Sequence, residues 1–343
     1  MTSSLFLMTL TIVIALGFDL INGFHDAANS IATVVSTRVL KPRTAVLWAA
    51  FFNFIAMFIF APHVADTISR IVHIQPNDPV YLYVVLSGLL GAMIWDLITW
   101  WLGLPTSSSH ALIGGVAGAG ITNGGLASLD IDRLISTIEF IVIAPLMGFA
   151  LGSFLIVCMY WIFRRWTLAH VNQFFRKAQL FSAGLYSLGH GGNDAQKTMG
   201  TILAVLIAGG VLRRDAELSL LDPSTLWIIL SCHLAMAIGT AFGGWRIVKT
   251  MGMKITKLKP MGGFCAETAG AMTLFLATHF GIPVSTTHTI TGAIIGVGSA
   301  SVRLRSIKWG VAAKIVWAWV LTIPAAGLLS SMLFYLLNTL RSM

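Results

Sequence analysis

Two carboxylates sit where the surrounding sequence is otherwise apolar. Asp26 lies in Gly23-Phe24-His25-Asp26-Ala27-Ala28-Asn29, and Asp194 lies in Gly191-Gly192-Asn193-Asp194-Ala195-Gln196-Lys197. An ionisable side chain inside a membrane segment is expensive, so its default reading is functional, facing a cavity rather than lipid. An aspartate that merely caps a broken helix is the plain alternative, but it suits one such residue better than two matched ones. Two further elements, Pro105-Thr106-Ser107-Ser108-Ser109-His110 and Pro283-Val284-Ser285-Thr286-Thr287-His288, place a proline turn before three consecutive hydroxyl or small residues and a Gly-rich apolar stretch after it. This pattern predicts the N-terminus of a half-helix, where unpaired N–H groups, the positive end of the helix dipole and the hydroxyls converge on a point suited to an anion. One Ser/Thr run before a helix is usually a simple N-cap; two copies favour a shared oxyanion site built from Ser107, Ser108, Ser109, Ser285, Thr286 and Thr287.

Carboxylates beside an anion site make sense if the anion is partly protonated. Such an oxyanion carries O–H donors that an aspartate accepts, whereas a fully ionised anion such as sulfate is repelled. The same carboxylates can bind a coupling cation, and Asn29 and Asn193 add neutral donor and acceptor capacity.

The elements that must hold these residues are membrane-spanning. Of 343 residues, 56% are hydrophobic and 10% charged, against roughly 25% charged in soluble chains. Apolar runs at 5–37, 44–62, 80–102, 107–122, 134–163, 179–211, 225–245, 262–279, 284–300 and 309–338 give about ten crossings, with the first and sixth expected to break near Gly23 and Gly191. Most of the 22 basic residues fall in alternate loops at 38–43, 164–177, 246–259 and 303–308, the last holding Arg303 and Arg305. The opposite loops are richer in acids, Asp78 among them. The positive-inside rule then puts both termini outside the cytoplasm. The net charge of +9 is thus loop charge, which leaves no basic face for nucleic acid. From Leu5 onward the N-terminus reads as a retained membrane segment. Cys158, Cys232 and Cys265 read as packing residues, and the tryptophans as interface anchors rather than a cofactor box.

Both motif pairs recur in the same order, as do Pro145-x-x-Gly148 and Pro324-x-x-Gly327. Three ordered echoes argue for an internal duplication. Five crossings per half is an odd number, so the second half must insert upside down, with the site near the midplane between the halves. The expected organisation is therefore an all-α integral membrane protein with two inverted-topology repeats, 1–170 and 178–343, joined by a cytoplasmic loop at 164–178.

Asn22-Gly23-Phe24-His25-Asp26-Ala27-Ala28-Asn29 and Gly189-His190-Gly191-Gly192-Asn193-Asp194-Ala195-Gln196-Lys197, with the two Pro-x-Ser elements, resemble the inorganic phosphate transporter (PiT) family over nearly the whole chain. The resemblance implies an inverted-repeat fold, a homodimer, and a phosphate site of Asp26, Asn29, Asn193 and Asp194 with the six Ser/Thr residues. The family's commoner motif is Gly-x-Asn-Asp in both halves with an asparagine three residues on; here the first half has His25 and the second Lys197. This resembles the bacterial low-affinity branch of the inner membrane, for which coupling to protons rather than sodium, and a metal–phosphate complex as cargo, are implied. Lys197 would act as a built-in cation, and His25 is the side-chain type whose ordinary titration lies nearest neutrality; a hydrogen-bonded core histidine is the other reading. Glu267 joins His25, Asp26, Asp194 and Lys197 as a coupling-ion candidate. For it and for Asp96 a structural role is equally open; Asp19 is unassigned, and His110 and His288 are expected to orient the hydroxyl turns. The competing functions are a proton-coupled sulfate or other oxyanion permease, a passive channel, and an intramembrane Ser/His/Asp hydrolase, against which the matched duplication argues.

Overall fold

In hydrocarbon every backbone N–H and C=O must find its partner inside the protein, and a helix does this within one segment. The computed structural model describes residues 2–73, 79–301 and 307–342. Asp78, Arg303 and Arg305, counted above among the loop charges, lie outside the described residues. Among those described, the chain is helical, with no pairing of extended segments beyond an isolated bridge between Val72 and Leu129. The first six helices are α1 (Thr2–Ser36), α2 (Pro42–Ile55), α3 (His63–Ser69), α4 (Pro79–Leu102), α5 (Ser108–Gly124) and α6 (Ile131–Ile162). The rest are α7 (Leu168–Ala208), α8 (Pro223–Phe242), α9 (Trp245–Lys249), α10 (Pro260–His279), α11 (Thr286–Ser301) and α12 (Trp309–Ser342).

Five helices among the described residues are long and apolar enough to cross a membrane, and a sixth span results if α2 and α3, bent by 84°, count as one. The ten crossings expected from sequence are not all of this kind. With 17 and 16 residues, α5 and α11 reach only about 25 Å, short of a hydrocarbon core about 30 Å thick. Helices α7 and α10 are long enough but too polar to be counted among them.

Two expectations are corrected. Helices α1 and α7 run unbroken through Gly23 and Gly191. A glycine inside a helix costs only about 1 kcal/mol relative to alanine, and here each glycine serves a close helix contact. A Cβ on Gly191 would stand 2.5 Å from the Asn53 carbonyl oxygen, and one on Gly23 would collide with the Met236 carbonyl. The bends fall instead between α2 and α3, and at Gly243-Gly244 between α8 and α9. The second correction concerns the connection expected at 164–178. Thr167 caps α7 by accepting from the His170 N–H, so 168–178 is helix and the turn shrinks to 163–167. Phe163, Trp166, Phe174 and Phe175 pack around that turn.

The packing crosses between the two halves of the chain. Helix α6 holds α11, with Pro145 against Gly292 and Gly148 against the Thr289 carbonyl. Helix α12 holds α5, with Ile323 against Gly114 and Gly327 against Gly118. The third repeated motif thus grips the short helix of the opposite half. Helices α1 and α7 pack antiparallel, since Thr37 meets Gln179 while Ser30 meets His190. Two apolar clusters flank their middle. One holds Phe18 and Met199 and the other Ile31 and Tyr186, so the polar stretches around Asp26 and Asp194 form a layer between them.

Gly292→Ala is expected to force α6 and α11 apart and to destabilise the protein by about 1–3 kcal/mol. Gly310, whose added Cβ would meet nothing within 4 Å, is expected to accept alanine unchanged. Thermal melts of the two variants in detergent, followed by size-exclusion chromatography, make the comparison.

Candidate functional site

Asp26 and Asp194 meet at the crossing of α1 and α7. One oxygen from each and a ring nitrogen of His190 all lie within 4.8 Å of one another, and all three residues are buried. Two like charges this close raise each other's energy, so the surroundings have to supply positive charge or donors.

Each aspartate has its own cationic or ring partner. The Lys197 ammonium donates to Asp194 Oδ1, to Ser109 Oγ and, at 2.8 Å, to the Val284 carbonyl, which commits all three of its hydrogens. His25 Nδ1 lies 2.8 Å from Asp26 Oδ1, and its Nε2 lies 3.0 Å from the Thr99 hydroxyl. Thr106 donates to Thr99 at 2.8 Å behind it. Lys197 is three residues after Asp194 and therefore on the same helix face, whereas His25 reaches Asp26 as its immediate neighbour.

The hydroxyl-rich turns deliver two helix N-termini to the same place. Gly103 and Gly281, with φ of 66° and 67°, turn the chain after α4 and α10 in a conformation that costs a residue with a Cβ. Ser107 and Ser285 then cap α5 and α11, each accepting at 3.2 Å from the N–H three residues on, that of His110 or His288. Thr286 donates to Asp194 Oδ2 at 3.0 Å, and Thr287 approaches Asp26 Oδ1 at 3.5 Å. The Asn29 amide donates to both threonine hydroxyls, at 3.2 and 2.9 Å. Asn193 donates to Thr278 at 3.0 Å, while its amide oxygen and the Ser108 hydroxyl are buried without a partner among the described residues. The arrangement therefore offers an anion hydroxyl and amide donors, two helix N-termini and one fixed ammonium, and offers any O–H on that anion two carboxylates.

Not every candidate lies at this centre. Glu267 accepts from Thr33 at 2.6 Å, from Gln179 at 2.9 Å and from Ser182 at 2.5 Å. Thr33 stands two turns beyond Asp26 on α1, so Glu267 is about 10 Å along the helix from the aspartates. His110 and His288 pack edge to face at 4.7 Å, and His288 stacks on Trp319 at 3.8 Å, so they brace the backs of the hydroxyl turns. Asp96 is buried beside His25 and Ser108, and neither of its oxygens has a partner among the described residues.

His190 was missed as a site residue by sequence reasoning. It precedes Asp194 by four residues, one turn, and its Nε2 lies 3.3 Å from Asp194 Oδ2, while Nδ1 faces Asn53 and Ser30. Tyr186, which donates to the Thr286 carbonyl at 2.9 Å, and the pair Thr99 and Thr106 were missed as well. The signal for His190 was its one-turn spacing from Asp194 on a continuous helix; expecting a break at Gly191 concealed it.

Known proteins share this pattern. The phosphate transporter family profile matches residues 22–169 and matches again over 164–330. The chain is 54% identical over 324 residues to a "Probable low-affinity inorganic phosphate transporter" of Rhizobium meliloti (strain 1021), covering 94% of each chain. A protein of the same description from Bacillus subtilis (strain 168) is 44% identical over 97% of this chain and 98% of its own. A solved structure described as "The sodium-dependent phosphate transporter" superposes with a TM-score of 0.84 over 97% of this chain and 99% of that one, at 24% identity, and shows the shared fold. The chain belongs to the phosphate transporter family, whose members are integral membrane transporters rather than enzymes.

Proposed function

We propose that this protein takes up inorganic phosphate by symport with protons, the anion being held where α1 and α7 cross and the tips of α5 and α11 meet. The observation that carries this reading is the convergence of Asp26 and Asp194 with two hydroxyl-rich helix N-termini at one buried point. Asp26, Asn29, Ser107, Ser108, Ser109, Asn193, Asp194, Ser285, Thr286 and Thr287 bind the anion. The monohydrogen form carries a proton that an aspartate accepts, and it thereby differs from sulfate.

The halves 1–170 and 178–343 act as inverted repeats. In support, the family profile matches the chain twice, and the corresponding helices α1 and α7 lie antiparallel. The chain resides in a bacterial inner membrane as a homodimer with both termini outside the cytoplasm, in keeping with its bacterial relatives and its loop charges.

Coupling to protons rather than sodium follows from the cations already tied to the chain. Lys197 sits among a carboxylate, a hydroxyl and a carbonyl, an oxygen set that would suit a monovalent cation, and His25 neutralises Asp26 when protonated. Phosphate can travel as a complex with a divalent metal, which is cargo here; Asp26, Asp194 and His190 present the hard oxygen and imidazole ligands to receive it.

Labelled phosphate uptake into liposomes under separately imposed gradients is expected to respond to a proton gradient and to magnesium, and not to sodium. Excess sulfate is expected to leave it unchanged; inhibition as strong as that by unlabelled phosphate would point to a general oxyanion permease. Asp26→Asn and Asp194→Asn are each expected to lower uptake by at least about a hundredfold, about 3 kcal/mol of coupled binding, with insertion and size-exclusion profile unchanged. Normal uptake by both variants would remove these aspartates from the mechanism.

A further inference from the structure

Asp19 has no role in the site described so far, yet it lies on the same stripe of α1. Asp19, Asn22, Asp26, Asn29 and Thr33 follow one another at steps of three and four residues, which keeps them on one helix face. Asp19 thus stands two turns from Asp26, on the side opposite Thr33 and Glu267.

Its surroundings do not solvate an anion. The carboxyl is fully buried, and neither oxygen receives a hydrogen bond among the described residues. The Thr198 hydroxyl and the Asn22 amide stand beside it without closing a bond, and the Asn22 oxygen itself lacks a donor. The titratable groups that face it are Asp194 and Lys197 from α7 and Cys232 from α8. Lys197 is the one cation among them, and its three hydrogens are committed to Asp194, Ser109 and Val284. A buried carboxylate without donor or free counter-ion is strongly disfavoured, whereas the neutral acid brings no charge to be solvated. Glu267 shows the contrast, with three donors around its carboxyl. Asp96, also without donors, lies beside the His25–Asp26 pair of the site itself.

We propose that Asp19 is the residue that carries the coupling proton. A proton from water on one side of the membrane bonds to a carboxylate oxygen of Asp19, and the neutral acid is the form compatible with the closed site. When the site opens to the other side, that O–H bond breaks and the proton leaves to water there with the phosphate. The proposal rests on the proton-coupled reading above and assigns its proton to a group outside the anion contacts.

The test uses the purified full chain in proteoliposomes, with two measurements of labelled phosphate. One is exchange against internal phosphate at equal pH on both sides; the other is net uptake driven by an imposed pH gradient. Asp19→Asn is expected to keep exchange within about twofold of the unaltered protein and to lose gradient-driven uptake by at least about tenfold, with Asp19→Glu restoring it. Asp19→Ala is run beside it and is expected to match Asp19→Asn. Gradient-driven uptake at the unaltered level in both the Asn and Ala variants overturns the proposal. Loss of exchange together with uptake, in protein that still elutes as a single species, overturns it too, since the residue would then act in binding or structure. If the unaltered protein exchanges no phosphate, the transport reading fails and the proposal fails with it.

Discussion

Two carboxylates placed within a few ångströms of each other, in a protein surrounded by hydrocarbon, form the constraint on which the rest depends. Water cannot screen them there, so the chain has to bring its own compensation. It does so with Lys197 on the turn after Asp194, with His25 beside Asp26, and with threonine hydroxyls from α11. That compensation fixes the architecture. The middles of α1 and α7 must cross, and the short helices must end at the crossing, which explains the glycine turns that aim them.

Much of the site was legible because its chemistry violates its surroundings. Asp26 and Asp194 stand out in apolar sequence, and the Ser/Thr runs after Pro105 and Pro283 announce helix starts that the structure places at Ser108 and Thr286. The repetition of these patterns located a common centre, since either copy alone reads as a cap or a core residue. The all-helical class followed from composition. What could not be read were properties set by tertiary packing. Gly23 and Gly191 look like helix breakers in one dimension; in three they are contact points for Met236 and Asn53 on other helices. Residues 168–178 are charged and polar enough to pass for a loop, yet the Thr167 cap and the aromatic cluster around Phe163 start a helix there. His190 was hidden by the same mistaken break, because a one-turn relation to Asp194 exists only on a continuous helix.

A shared fold does not carry a coupling ion with it. The structural relative described as sodium-dependent aligns along almost the whole chain, and the resemblance concerns the path of the backbone. Selectivity for the driving ion is a local matter of which oxygens are left open. Here the Asp194, Ser109 and Val284 oxygens already face an ammonium on a four-carbon tether. A side chain held in this way cannot dissociate and cross the membrane.

The grip of α6 on α11 and of α12 on α5 sets what can count as a unit of this molecule. Each short helix leans its glycines on a proline-containing helix encoded in the other half. Neither half therefore completes its own interior, and the turn at 163–167 that joins the halves is not a seam in the folded protein. The two halves of the chain are interlocked, like two hands with fingers crossed. A substitution in one half is felt as a loss of fit in the other, which ties the two halves together however different their sequences are.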